Sequence, residues 1–155
     1  MSEAGAWLLD LGGGLFGAVG EREMVHVLPD RPVLQEIPQS PGYCRKVLVW
    51  QGEVLPLMDL AGRLAARPRV SEGRPELIAV TAFQQQPGAA PRHGALVLNA
   101  PPVRVRVHDA QACELPEPQR RWQRLSIACF QHPDHGPVPV LDLPRVFLLP
   151  PDDEG

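Results

Sequence analysis

Two segments of this chain follow one pattern. Leu55-Pro56-Leu57-Met58-Asp59-Leu60 and Val138-Pro139-Val140-Leu141-Asp142-Leu143 each carry a proline inside an apolar run, then an aspartate, then a leucine. Runs rich in valine and leucine read as strands. Proline has no backbone N–H, so its position is expected at a strand edge or a bulge. The aspartate precedes good helix formers and can accept from the open N–H groups of a helix's first turn, which makes Asp59 and Asp142 expected structural caps rather than catalysts. The copies lie 83 residues apart in a chain of 155. Two similarly built β lobes follow, with a groove expected between them.

Nineteen prolines and fourteen glycines interrupt the chain too often for long helices. Short strands therefore dominate the reading: Ala6 to Leu11 and Leu15 to Val19 around a glycine turn, Val33 to Ile37, Val47 to Trp50 and Val54 to Met58 around Gln51-Gly52. Later come Leu77 to Phe83, Gly94 to Leu98, Val103 to Val107, and a last hairpin from Leu125 to Phe130 and Val138 to Leu141. Glu21 to Leu28 reads as a short helix or an irregular strand, and residues 67–75 and 84–92 as loops. The organisation expected is one domain over 6–148 and a disordered tail over 149–155.

A net charge of −3 and a pI near 5.9 argue against nucleic-acid binding, which calls for a basic surface. No apolar run approaches the roughly 20 residues of a membrane helix, and a cytoplasmic address follows by default. Cys44, Cys113 and Cys129 are odd in number and irregularly spaced, so no disulfide framework is expected and the thiols read as buried or half-buried.

Gly12-Gly13-Gly14-Leu15-Phe16-Gly17 matches a G-x-G-x-x-G pattern, with Glu36 where a ribose-binding carboxylate would stand, and a small dinucleotide-binding enzyme is the alternative it raises. Gly20, Pro29 and Pro32 break the helix this would require, which favours a hairpin. Cys129, His132, Asp134 and His135 have metal-ligand chemistry but occupy one apparent hairpin loop, where a solvated turn is the ordinary case. Arg104 and Arg106 alternate with Val103, Val105 and Val107 and read as a solvated strand face. No nucleophile motif is present, so no catalytic residue, cofactor or metal is assigned, and binding is expected rather than catalysis. A β-barrel interaction module for an unrelated partner is a further alternative.

Lys46 to Leu60, following Pro38, resembles the signature of the CheW family, small scaffold proteins that couple chemoreceptors to the CheA histidine kinase. Leu15 to Pro29, Gly94 to Asn99 and Val138 to Phe147 resemble further family segments in the same order. The resemblance implies a mainly β fold of two SH3-like five-stranded barrels with short helical turns, no catalysis and no cofactor. It also implies two partners, the regulatory domain of a CheA-type kinase and the cytoplasmic tip of a chemoreceptor. By position in the family pattern, Met24, Val27, Lys46, Gln51 and Leu98 are the candidate partner contacts. The sequence departs from that pattern: Lys46 replaces a glycine, Val49 an asparagine, Gln51 an arginine and Asn99 an aspartate. Glutamine lacks the charge and planar donor fork of arginine, so a bidentate carboxylate contact there is lost. The departure points to a divergent sensory pathway, for instance pilus motility.

Overall fold

A computed structural model describes residues 3–12, 14–28, 34–36, 46–61, 77–115 and 122–148. Eleven strands account for most of them: β1 (Glu3–Gly12), β2 (Leu15–Gly20), β3 (Met24–Leu28), β4 (Leu34–Glu36), β5 (Lys46–Trp50), β6 (Glu53–Met58), β7 (Leu77–Phe83), β8 (Arg92–Leu98), β9 (Val103–His108), β10 (Ser126–His132) and β11 (Gly136–Leu141). One short helix, α1 (Leu143–Leu148), follows β11. The expected loop at 67–75, the tail at 149–155 and Cys44 lie outside the described residues.

The strands form two sheets, of order β10-β11-β2-β1-β9 and β3-β7-β8-β6-β5-β4. The expectation of two β lobes is met, with one more described strand, β4, in the second sheet. Past β9 the chain makes a 3-10 turn at Asp109–Gln111 and pairs again at Ala112 with Phe130 of β10. That bridge joins the two edges of the first sheet and rolls it around a small core of Leu8, Ala18, Phe130 and Val138. The Glu21 to Leu28 segment resolves into a 3-10 turn at Glu21–Glu23 and then β3.

The placement of the two prolines is corrected. Pro56 and Pro139 are not at edges, because β6 runs between β8 and β5, and β11 between β10 and β2. Each proline faces its hairpin neighbour, Val47 or Cys129, one residue before the parallel pairing starts at Leu57↔Ala95 or Val140↔Ala18. The missing N–H thus falls where the second neighbour has not yet joined, and an interior strand can hold the ring. The hairpin expected at the glycine pattern is found: β2 follows it and pairs antiparallel with β1, and the alternative dinucleotide site, which requires a helix there, is excluded.

The space between the lobes is likewise filled. Leu9, Leu11, Val19 and Leu141 from the first sheet meet Met58, Ala79, Phe83, Leu96 and Leu98 from the second, with Leu143 and Val146 of α1 among them. Strands β7 and β8 serve two cores at once. Ala79, Leu96 and Leu98 turn into the shared core, while Ile78, Val80, Ala95 and Val97 turn into the second sheet's own core with Leu48, Leu55 and Leu57. Period-two alternation with both faces buried explains why these strands read as unbroken apolar runs. Phe147 stacks on Phe83 at 5.5 Å, and a Cβ on Gly94 would lie 2.5 Å from the Phe147 ring, so only glycine admits this contact. Thr81, fully buried, donates its hydroxyl to the Gly94 carbonyl at 2.9 Å.

Candidate partner-binding surface

The hairpin β5–β6 turns through Gln51 and Gly52, between the paired Trp50 and Glu53. Both turn residues have positive φ, 49° and 78°, the geometry of a type I′ turn, whose twist matches that of the flanking strands. Glycine adopts this conformation freely and glutamine does so at a cost, so the tight turn holds Gln51 in a fixed, exposed position.

On the inner face of the hairpin, Leu48 and Leu55 pair and enter the core. The outer face carries Val47 opposite Pro56 and Val49 opposite Val54. Val49 and Val54 are each 63% exposed. Two β-branched side chains directly across from each other on open surface form a contiguous apolar patch, the kind of feature that marks an interaction site. Gln35 of β4 stands beside Val47 and is exposed. At the turn end, Glu53 Oε2 lies 3.0 Å from His93 Nδ1, and the His93 ring lies 5.5 Å from that of Trp50. Trp50 and Glu53 share the face of Leu48 and Leu55, so this polar cluster closes the core side of the hairpin and leaves the Val49–Val54 face apolar.

The expected contact residues fall in different places. Lys46 and Gln51, both exposed, stand at opposite ends of β5; Gln51 lies in the turn beside the patch, whereas Lys46 is on the Leu48 side of the strand. Met24 and Val27 lie on β3, at the far edge of the sheet order, and are half-buried; Met24 packs against the shared core. Val25, between them, is 42% exposed. Leu98 is corrected: it is fully buried in the shared core and presents no side chain to a partner. Val49 and Val54 escaped sequence reasoning, although a signal existed. Val47 to Trp50 is apolar without alternation, so if one face of the hairpin enters the core, the other must show apolar groups.

The remaining candidates have structural partners. The Asp142 carboxylate accepts from the backbone N–H of Arg145 at 3.3 Å, and its carbonyl from that of Val146 at 2.9 Å, which is N-cap geometry. Asp59 precedes helical residues 60–61, and the continuation of that turn lies outside the described residues. Arg104 pairs with Glu21, and Arg106 donates to Glu3 at 2.6 Å. That hydrogen bond is the main cause holding the Glu3 carboxyl below its ordinary range. His135 stacks between Phe16 and His132, with ring centroids at 3.9 and 4.9 Å, while the Cys129 thiol meets Cys113. Among the described residues no three His, Cys, Asp or Glu side chains converge as metal ligands, and no helix is long and apolar enough to cross a membrane.

Comparison with known proteins gives the same picture. The family model described as CheW-like domain matches residues 18–150. The fold is similar to the crystal structure of the scaffolding protein TtCheW from Thermoanaerobacter tengcongensis, with a TM-score of 0.69 at 13% sequence identity, covering 91% of this chain and 90% of that one. No curated protein matches the chain.

Proposed function

This chain belongs to the CheW-like family, and we propose that it docks a CheA-type histidine kinase through the outer face of the β5–β6 hairpin. CheW-like proteins are non-catalytic scaffolds that couple a kinase to chemoreceptors in signal transduction, and this chain is one of them. What supports the choice of surface is the exposed Val49–Val54 pair, apolar area that a partner can remove from water. Gln51 in the adjoining turn supplies a polar contact at its rim, where charge and hydrogen bonding set specificity more than affinity, and Lys46 is within reach only of a partner that wraps the strand end. The adaptor works in the cytoplasm, on the kinase's regulatory domain. Met24 and Val27, with Val25 exposed between them, offer a second surface on β3 for a receptor tip. With Gln51 in place of the family's arginine, its receptor belongs to a sensory pathway other than the usual flagellar one.

Titration of the purified chain against the regulatory domain of its cognate kinase tests this reading. Saturable binding is expected, weakened at least tenfold, or about 1.4 kcal/mol, by V49E together with V54E. Gln51→Glu, in the turn beside the same face, is expected to weaken kinase binding by less than the double substitution and without unfolding the protein. Kinase affinity unmoved by the double substitution would remove the β5–β6 face from the proposal. No association well above micromolar concentrations would remove the kinase as partner.

A further inference from the structure

We propose that Cys113 and Cys129 are a redox modification site, forming a reversible intramolecular disulfide when a peroxide acts as oxidant. Their Sγ atoms lie 3.0 Å apart, and the backbone N–H of Cys113 donates to the carbonyl of Cys129, also at 3.0 Å. Both thiols are free. They are the pair next to the Ala112–Phe130 bridge, so they face each other across the seam that closes the first sheet. Antiparallel neighbours have Cα atoms about 4.5–5.5 Å apart, inside the roughly 4.4–6.8 Å that a disulfide accepts. The link therefore forms without moving the backbone. A cavity of about 240 Å³ on the same seam is lined in part by Ala112, Cys129 and Phe130.

The two thiols have distinct roles. Cys113 is half-buried and Cys129 only 8% exposed, so the peroxide meets Cys113 first. Burial, and then the adjacent Cys113, push the Cys129 thiol up to about 12, which keeps it protonated at neutral pH. The Cys113 sulfur attacks one peroxide oxygen. An S–O bond forms, the O–O bond breaks, and the departing hydroxide takes the Cys113 proton to become water. Cys129 then attacks the sulfenic sulfur of Cys113. The S–S bond forms, the S–O bond breaks, and the second hydroxide leaves as water with the Cys129 proton. Two thiols and one hydrogen peroxide yield one disulfide and two waters, the sulfurs giving up two electrons.

The product ties the segment after β9 to β10 covalently and fixes the first sheet in its closed form. A cross-link that encloses a loop of this size raises the melting temperature of a chain this long by roughly 5–10 °C. Intracellular disulfides are typically transient, which suits a switch rather than a permanent staple.

The test treats the full chain with equimolar hydrogen peroxide, counts free thiols, maps peptides and records thermal melts. The thiol count is expected to fall from three to one, with Cys113 and Cys129 in one cross-linked peptide pair and the higher melting temperature reversed by dithiothreitol. C44A keeps the shift, and C113S or C129S abolishes it. Three thiols surviving oxidation, a link through Cys44, or cross-linked dimers in place of the internal bond would each overturn the proposal. Peptide mapping of the unsubstituted chain decides the matter even if a variant fails to fold.

Discussion

In the β5–β6 hairpin, Val49 stands opposite Val54 and both lie open to solvent; in β10–β11 the corresponding pair is Gln131 and Pro137. One step further in, Val47 opposite Pro56 corresponds to Cys129 opposite Pro139. The match extends to a third strand. Gln35 beside Val47 on β4 has its counterpart in Cys113 beside Cys129, where the chain after β9 returns to β10. The inner faces, by contrast, agree in chemistry: Leu48 with Leu55 in one lobe, Phe130 with Val138 in the other. One framework therefore fixes what points into each core and leaves the outer face to be specialised. In one lobe that face carries an apolar patch fit for a partner, and in the other a pair of thiols.

The inner positions give the largest expected effects. Phe130→Ala and Leu48→Ala, both at buried sites, should each cost about 2–5 kcal/mol in urea unfolding. Because the shared core joins the lobes, each should shift a single transition. Two separate transitions would break the picture of lobes welded by that core.

The caps come next. Asp142→Ala removes the acceptor for the Arg145 N–H, and Asp59→Ala is its equivalent in the other copy. Each should lower stability by about 0.5–2 kcal/mol. An Asp59 variant as stable as the parent would mean that the repeated sequence pattern does not repeat the cap.

A smaller effect concerns Glu23, near Asp142, whose lobe thereby differs again from its counterpart. Burial, reinforced by the Asp142 charge and opposed by the hydrogen bond from the Gly20 N–H at 2.8 Å, raises its carboxyl above the ordinary 4.5. The folded state then holds this proton more tightly than the unfolded chain. The contribution is full below about pH 4.5 and is lost as pH rises through the folded value. Glu23→Gln keeps an acceptor for Gly20 and cannot ionise. Its stability relative to the parent should therefore be higher at pH 7 than at pH 4, measured by urea midpoints. A constant difference across that range would show that Glu23 does not titrate with folding.

Much of this was legible in the residues. Most of the strands, the turn at Gln51-Gly52 and the glycine turn between β1 and β2 were readable because valine-rich runs and positive-φ glycines act within a few residues of themselves, whereas Glu21 to Leu28 left helix and strand open. The family resemblance rested on the same local stretch around residues 51–60, and the match over residues 18–150 agrees with it.

Other features depended on contacts distant in sequence. Alternation tells which residues share a face but not whether that face is covered. Leu98, expected at a surface, is packed between sheets, while Val49 and Val54, ordinary strand residues by sequence, stand in water. Pro56 looked like an edge because its sequence cannot show that β8 joins β6 only one residue later. The expected groove between lobes became the largest core because apolar faces of both sheets meet there, and non-directional hydrophobic burial favours whatever arrangement removes most of that surface from water. The sequence alone thus determined the strands, their turns and their two-fold plan, through local backbone chemistry. Tertiary structure decided which faces were spent on cores, which one was left for a partner, and that Cys113 meets Cys129, because each of these depends on chain segments that only folding brings together.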